Sequence, residues 1–191
     1  MSSAPSRQFL FLLASARADG NAEQLARRAA ASLPAAVRQT WVRLADHPLP
    51  AFVDRRHETD EAWAPAVDGA ARFLLESTLA STDLVFVAPV YWYSLPTAAK
   101  LYLDHWSAWL RAPGWDFKAR MAGKTMWAIS SFSDTDPALA TPLRDTLRLT
   151  ADYMQMSWGG FLLGEGNRPG DVQKDARAHA AAETFFTRPT D

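Results

Sequence analysis

The stretch that most constrains this chain is residues 83–104, DLVFVAPVYWYSLPTAAKLYLD. Residues 84–88 are continuously apolar, rich in β-branched and aromatic side chains, and too few for a helix of their own. Bounded by Asp83 and Pro89, such a run suits a strand covered on both faces, and strands of that kind are usually parallel and central. Pro89 has no N–H to give a ladder, and the residues behind it include Tyr91, Trp92 and Tyr93, which neither a buried strand nor a polar turn calls for. Pro96 suits the first turn of a helix, on which Lys100 and Asp104 stand four apart. The reading is strand, aromatic loop, helix. Ligands of open α/β sheets lie beyond the carboxyl ends of the strands, so this loop stands where a flat molecule would be bound.

Composition narrows the function. The 191 residues are enough for one α/β domain spanning 1–191, with no second domain needed. The net charge of −1 is spread along the chain without a basic block, which argues against a nucleic-acid partner. The chain has no cysteine, so a disulfide framework, a thiolate nucleophile, Cys-ligated zinc and an ordinary Cys-held iron–sulfur cluster are all excluded. A redox role would need an organic cofactor. Arg7 and the apolar residues 9–14 faintly copy a secretory signal, but that core is too short for one. No apolar run approaches membrane-spanning length, and a cytoplasmic protein is expected.

In chain order, residues 1–7 read as a disordered leader and 9–14 as the first buried strand. A loop then leads into a helix that runs to about Leu33. Two readings of its start stand together. Asn21 with Gln24 three residues on resembles a capping box. Alternatively, Ser15, Arg17, Gly20 and the free N–H groups of the helix start form a phosphate cradle, provided that Asp19 and Glu23 point away.

Residues 37–44 form the expected second strand, followed by a proline-rich loop at 45–50 and a charged loop at 58–66. A helix over 67–80 would carry Ala70, Phe73, Leu74 and Ser77 on one face. The helix over 95–110 has an apolar stripe of Ala99, Leu103, Trp106 and Leu110, widened by Tyr102 and Trp109. That width fits either a subunit interface, hence a homodimer, or a deep core within the chain. Gly123-Lys124-Thr125 opens a strand and lacks the Gly of a P-loop five residues earlier. The strand at 126–130 leads to a third loop, Ser130-Ser131-Phe132-Ser133. Residues 137–156 are helical, 161–163 the last strand and 171–186 the last helix. Five strands alternating with helices give a three-layer α/β/α sandwich, a parallel sheet of order 2-1-3-4-5 with three loops around one crevice.

With the loops assembled, the chain resembles the flavodoxin-like NAD(P)H-dependent FMN reductase and quinone reductase superfamily. Residues 14–22 are similar to its phosphate loop, residues 44–52 to its Leu-x-Asp-x-x-Leu-Pro-x-Phe segment, and Pro89 to Pro96 with Lys100 and Asp104 to its Pro-x-Tyr element. The resemblance implies that Ser15, Arg17, Gly20, Asn21 and Ala22 hold the FMN phosphate. It further implies that Pro89, Val90, Tyr91, Trp92 and Tyr93 line the isoalloxazine, with Ser130, Ser131 and Phe132 as a third wall. Ala14 stands where the family usually has Gly, Ala22 lacks a hydroxyl that one branch uses, and the third loop lacks a Gly pair.

If FMN is held, the chemistry is the cofactor's and the protein supplies position and polarity. A nicotinamide, NADPH or NADH, would pass a hydride to the flavin, and a small planar acceptor such as a quinone or free flavin would take it up in turn. The rivals are a flavodoxin-type electron carrier, which a net charge near zero disfavours, and a flavin-free binding module on the same fold. No Gly-x-Ser-x-Gly elbow supports a hydrolase. The four histidines have no metal-ligand spacing, Lys100 with Asp104 is an ordinary helix pair, and the aromatic triplet could also serve as a protein contact.

Overall fold

The structure, a computed structural model, describes residues 6–55 and 65–187. Strands and helices alternate along it: β1 (Gln8–Leu13), α1 (Asn21–Ala30), β2 (Arg38–Arg43), α2 (Gly69–Ala80), β3 (Asp83–Pro89), α3 (Thr97–Trp109), α4 (Phe117–Met121), β4 (Thr125–Phe132), α5 (Thr141–Tyr153), β5 (Ser157–Glu165) and α6 (Ala176–Glu183). The five strands form one parallel sheet in the order β2-β1-β3-β4-β5. Both the architecture and the strand order agree with the sequence-based expectation.

β3 is the centre because both of its faces are covered. Leu84, Phe86 and Ala88 pack into the core beneath α2, α3, α4 and α5, whereas Val85 and Val87 enter the opposite core beneath α1 and α6. An uninterrupted apolar run is what such a position demands, each fully buried large side chain contributing about 1.5–3 kcal/mol. The ladder runs one bond past the proline: Pro89 pairs with Ser131, and Val90 N–H donates to the Ser131 carbonyl at 2.9 Å. No described helix is long and apolar enough to cross a membrane.

The wide aromatic face of α3 belongs to the core of the chain. Tyr102, Trp106 and Trp109 are buried and meet Phe86 and Phe117 edge to face at 5.4–5.9 Å between ring centroids. The short helix α4, which sequence periodicity does not reveal, supplies Phe117 as their cover. These tryptophans therefore give no basis for a subunit interface.

Other boundaries move for local reasons. On α2 the buried set is Leu74, Leu75, Thr78 and Leu79, not the expected stripe of Ala70, Phe73, Leu74 and Ser77; Phe73 lies outside, stacked on His47. A threonine is tolerated in that core because Thr78 Oγ1 bonds the Leu74 carbonyl and the Tyr102 hydroxyl. β5 begins four residues before the expected 161–163, since Gly159 and Gly160 hide its start. A Cβ at Gly159 would come within 2.3 Å of the Trp127 ring, so the bare backbone is what lets this indole be buried. The helix expected over 137–156 is a 3-10 turn, Pro137–Ala140, followed by α5, and 171–186 is divided among two 3-10 turns and α6. Of the expected leader 1–7, Arg7 is instead bound to Asp83, while residues 1–5 lie outside the described residues, as does most of the 58–66 loop.

Candidate functional site

The carboxyl ends of β1, β3, β4 and β5 bring four loops around a cleft of about 520 Å³. The loop after β1 is turned by Ser15 Oγ, which accepts from Arg17 N–H at 3.1 Å, and by Asp19 in the left-handed region (φ 53°), where Asp is tolerated. Arg17 lines the cleft, and its guanidinium has no partner among the described residues. α1 begins from Gly20 (φ −71°) with no side chain capping it, which leaves the N–H groups of its first turn available at the cleft.

The expected capping box is therefore not formed. Asn21 is the first residue inside α1, and its side chain reaches sideways: Oδ1 accepts from Gly170 N–H at 2.9 Å and Val172 N–H at 3.4 Å, and Nδ2 donates to the Arg168 carbonyl at 3.0 Å. Glu23 and Gln24 both reach back to the loop at Asp19, Glu23 accepting from its N–H at 3.0 Å and Gln24 Nε2 donating to its carbonyl at 2.9 Å. Its buried carboxylate also pairs with Arg27 at 2.7 Å and Arg43 at 2.8 Å. Burial pushes this carboxyl up, but the bonds from Arg43, Arg27 and the Asp19 N–H outweigh it and hold it below its ordinary value. Neither Asp19 nor Glu23 lines the cleft, so the condition that a phosphate cradle required of them is met.

Pro89, Val90 and Tyr91 form a second wall. Beyond them Tyr91 and Ser94 exchange both backbone bonds, at 3.1 and 3.0 Å, so that Trp92 and Tyr93 are the two corner residues of a tight hairpin. Both have positive φ, 49° and 63°, as in a type I′ turn normally filled by Asn-Gly. Aromatic residues are strained there by roughly 1–2 kcal/mol each. The strain goes with exposure: Trp92 is 93% exposed and Tyr93 56%.

Along β4, Ser131 and Phe132 reach the cleft together with Ser133. Ser130 does not: it lies inside the strand, fully buried, and its hydroxyl bonds the Ala88 carbonyl at 2.6 Å. Trp92 and Tyr93 lie outside the main cleft and line a smaller neighbour of about 210 Å³ with Val90 and Phe132. Tyr91 also borders an apolar cavity of about 370 Å³ between Leu44, Leu49, Leu74, Leu101 and Tyr102. Ser15, Arg17, Gly20, Asn21, Ala22, Pro89, Val90, Tyr91, Ser131 and Phe132 are thus brought to one place.

Sequence reasoning missed the fourth loop, Gly166-Asn167-Arg168-Pro169, which lines the cleft beside Asn21. Its signal was available, since Gly-Asn-Arg-Pro-Gly is dense in turn residues and directly follows the last strand. Elsewhere, His105 Nε2 lies 2.9 Å from the Pro50 carbonyl, and the Lys100–Asp104 pair is on an exposed face of α3, so both have ordinary local roles.

The arrangement offers two guanidinium groups with no carboxylate among the described lining residues, suited to an anion, together with apolar and aromatic walls. Residues 7–186 match the family described as having a flavodoxin-like fold, and the chain belongs to that family. Among its relatives is YwqN of Bacillus subtilis (strain 168), provisionally named an NAD(P)H-dependent FMN-containing oxidoreductase, 32% identical over 90% of this chain and 92% of the relative. The solved structure of the Trp repressor binding protein from Bacillus subtilis superposes with a TM-score of 0.74 at 27% identity, covering 95% of this chain and 99% of that one. An FMN-dependent NADH-azoreductase from Bacillus anthracis str. Ames Ancestor, solved in complex with FMN, shares the fold with a TM-score of 0.65 at 12% identity, over 95% and 98% of the two chains.

Proposed function

We propose that this chain is an FMN-dependent NAD(P)H oxidoreductase that passes a hydride from NADPH or NADH to a small planar acceptor such as a quinone or free flavin. The observation that carries this reading is the make-up of the carboxyl-edge cleft, in which Arg17 and Arg168 are the only charged lining groups among the described residues and Tyr91 is part of the wall. FMN, when bound, supplies hydride acceptance and donation; the protein supplies its position. Ser15, Arg17 and the first-turn N–H groups at Asn21 and Ala22 would hold the phosphate, each charge-assisted bond contributing about 1.5–3 kcal/mol. Pro89, Val90, Tyr91, Ser131 and Phe132 would line the ring and keep water from it. The exposed rings of Trp92 and Tyr93 offer stacking surface for nicotinamide and acceptor in turn, about 0.5–1.5 kcal/mol for a well-formed aromatic pair. No side chain has to move a proton in the first half-reaction, in keeping with a cleft that has no Asp, Glu, His or Lys among its described lining residues. The setting that supplies both nicotinamides is the cytoplasm.

The test is the visible spectrum of the purified protein after addition of FMN and desalting, then anaerobic addition of NADPH or NADH. Retained flavin bands that bleach on adding nicotinamide are the expected result. Bands that persist would favour an electron carrier, and failure to bind FMN even on titration would overturn the reading. Parallel double-reciprocal lines are expected with a quinone, since both substrates use one face in turn; intersecting lines would remove that scheme.

A further inference from the structure

We infer that Arg168 is a second anion-binding arm of the cleft, held there by Asn21, and that it recognises the phosphate monoester by which FMN differs from riboflavin. This rests on the flavin reading above and adds to it a residue on the loop after β5.

Asn21 sits where the family resemblance implies a direct phosphate ligand, yet its side chain is already engaged. Its carbonyl oxygen is occupied by the N–H groups of Gly170 and Val172, and its amide nitrogen donates to the Arg168 carbonyl. The turn is further closed by Arg168 N–H, which donates to Asp171 Oδ2 at 2.7 Å. The backbone of Arg168 is thus tied on both sides to fixed partners. Gly166 shows how close the approach is: a Cβ there would lie 2.7 Å from Asn21 Nδ2 and 3.0 Å from Val172 N, so no side chain fits. The segment that carries Arg168 is anchored to the first turn of α1, the turn whose N–H groups are open at the cleft.

The side chain is the part left over. Arg27 and Arg43 are drawn onto Glu23, but the guanidinium groups of Arg17 and Arg168 have no partner among the described residues. An exposed, unpaired arginine is ordinary on a surface; one on a pinned loop, lining a cleft with a second such arginine and no carboxylate among the described residues, is placed for a doubly charged anion. Of the two carboxylates three residues away, Asp171 is engaged by Arg168 N–H and by Lys174 at 3.3 Å, and Glu165 lines a neighbouring cavity and not the cleft. Two sources could supply such a phosphate, the 5′-phosphate of FMN and the 2′-phosphate of NADPH. Anchoring to the first turn of α1, where the expected FMN phosphate loop of residues 14–22 ends, points to the first.

The experiment titrates full-length apoprotein with FMN and with riboflavin, followed by quenching of flavin fluorescence, for the wild type, Arg168→Gln, Asn21→Ala and the double variant. Arg168→Gln should weaken FMN about ten- to hundredfold and leave riboflavin within about twofold. Asn21→Ala should add little once Arg168 has been replaced, because it acts through that residue. Unchanged FMN affinity in Arg168→Gln, or equal losses for FMN and riboflavin, would overturn the inference, as would a raised KM confined to NADPH. A full additional loss in the double variant would remove the role given to Asn21. Arg168 is exposed, so its replacement should leave the melting temperature unchanged even if Asn21→Ala lowers it. A wild type that binds neither flavin sinks the proposed function along with this inference, whereas a wild type that binds FMN and is indifferent to Arg168→Gln sinks this inference alone.

Discussion

The two edges of the sheet follow opposite rules. At the amino edge the carboxylate of Asp83, 2% exposed, accepts bonds from Arg7, from Trp127 Nε1 at 2.9 Å and from Thr82 Oγ1 at 2.7 Å. Arg7 in turn donates to the Phe186 carbonyl at 3.1 Å and lies over the Phe9 ring, so one cluster ties both ends of the described chain to β3 and β4. Lys124 similarly closes the end of α2 by donating to the carbonyls of Leu79 and Ser81. At the carboxyl edge two guanidinium groups lack partners among the described residues, two aromatic residues occupy left-handed backbone, and an indole stands in solvent. Folding free energy favours the first arrangement and has no use for the second. An edge that leaves charge unpaired and backbone strained is therefore the edge prepared for something the chain itself does not contain.

The sharpest way to break this contrast is to damage the satisfied edge. Asp83→Asn removes the charge between Arg7 and Trp127 and should cost about 2–3 kcal/mol, since a buried network loses partners it cannot replace. In a chain of this length that is a fall in Tm of roughly 4–12 °C, with FMN affinity of the folded protein unchanged. A loss of FMN affinity would show that the two edges are coupled. Next in size is the reverse manipulation at the strained edge. Trp92→Asn with Tyr93→Gly gives the hairpin the residues its φ angles favour and should raise stability by about 1–2 kcal/mol while weakening acceptor binding, read as Tm and KM. A lower Tm would mean that the aromatic corner is not strained.

Arg17→Gln should separate function from stability: about tenfold weaker FMN binding with Tm within about 1 °C, because an unpaired exposed cation contributes little to the fold. The smallest effect is a pH dependence at Glu23. Its folded carboxyl lies below its ordinary value, so its contribution is fully present above about pH 4.5 and is lost as pH falls through the folded value. Urea midpoints at pH 7 and pH 3.5 should converge for wild type and Glu23→Gln on acidification; a gap that does not narrow would deny Glu23 this role.

The same contrast shows how much could be read from the chain itself. The parallel sheet and its order were legible because residues 84–88 are apolar without interruption and alternate with helix-forming segments. The loops after β1, β3 and β4 were legible because their unusual residues are contiguous. The loop after β5 was not, since Arg168 matters only through Asn21, 147 residues away. The start of β5 was hidden too, because its glycines answer to the volume of Trp127 on the neighbouring strand. The breadth of α3 admitted two readings that only the packing of Phe117 could separate.

What the sequence determined by itself was therefore local and periodic: which segments are strands, where the sheet centre lies, and which loop carries the aromatic residues. Tertiary structure alone decided how the polar side chains were paired: that Glu23 turns to Arg27 and Arg43, that Asn21 holds a distant loop, and that Arg17 and Arg168 meet at one cleft with no partner among the described residues. The physical reason is range. Hydrophobic periodicity is a property of neighbours in the chain, whereas the pairing of a charge depends on every element that folds against it.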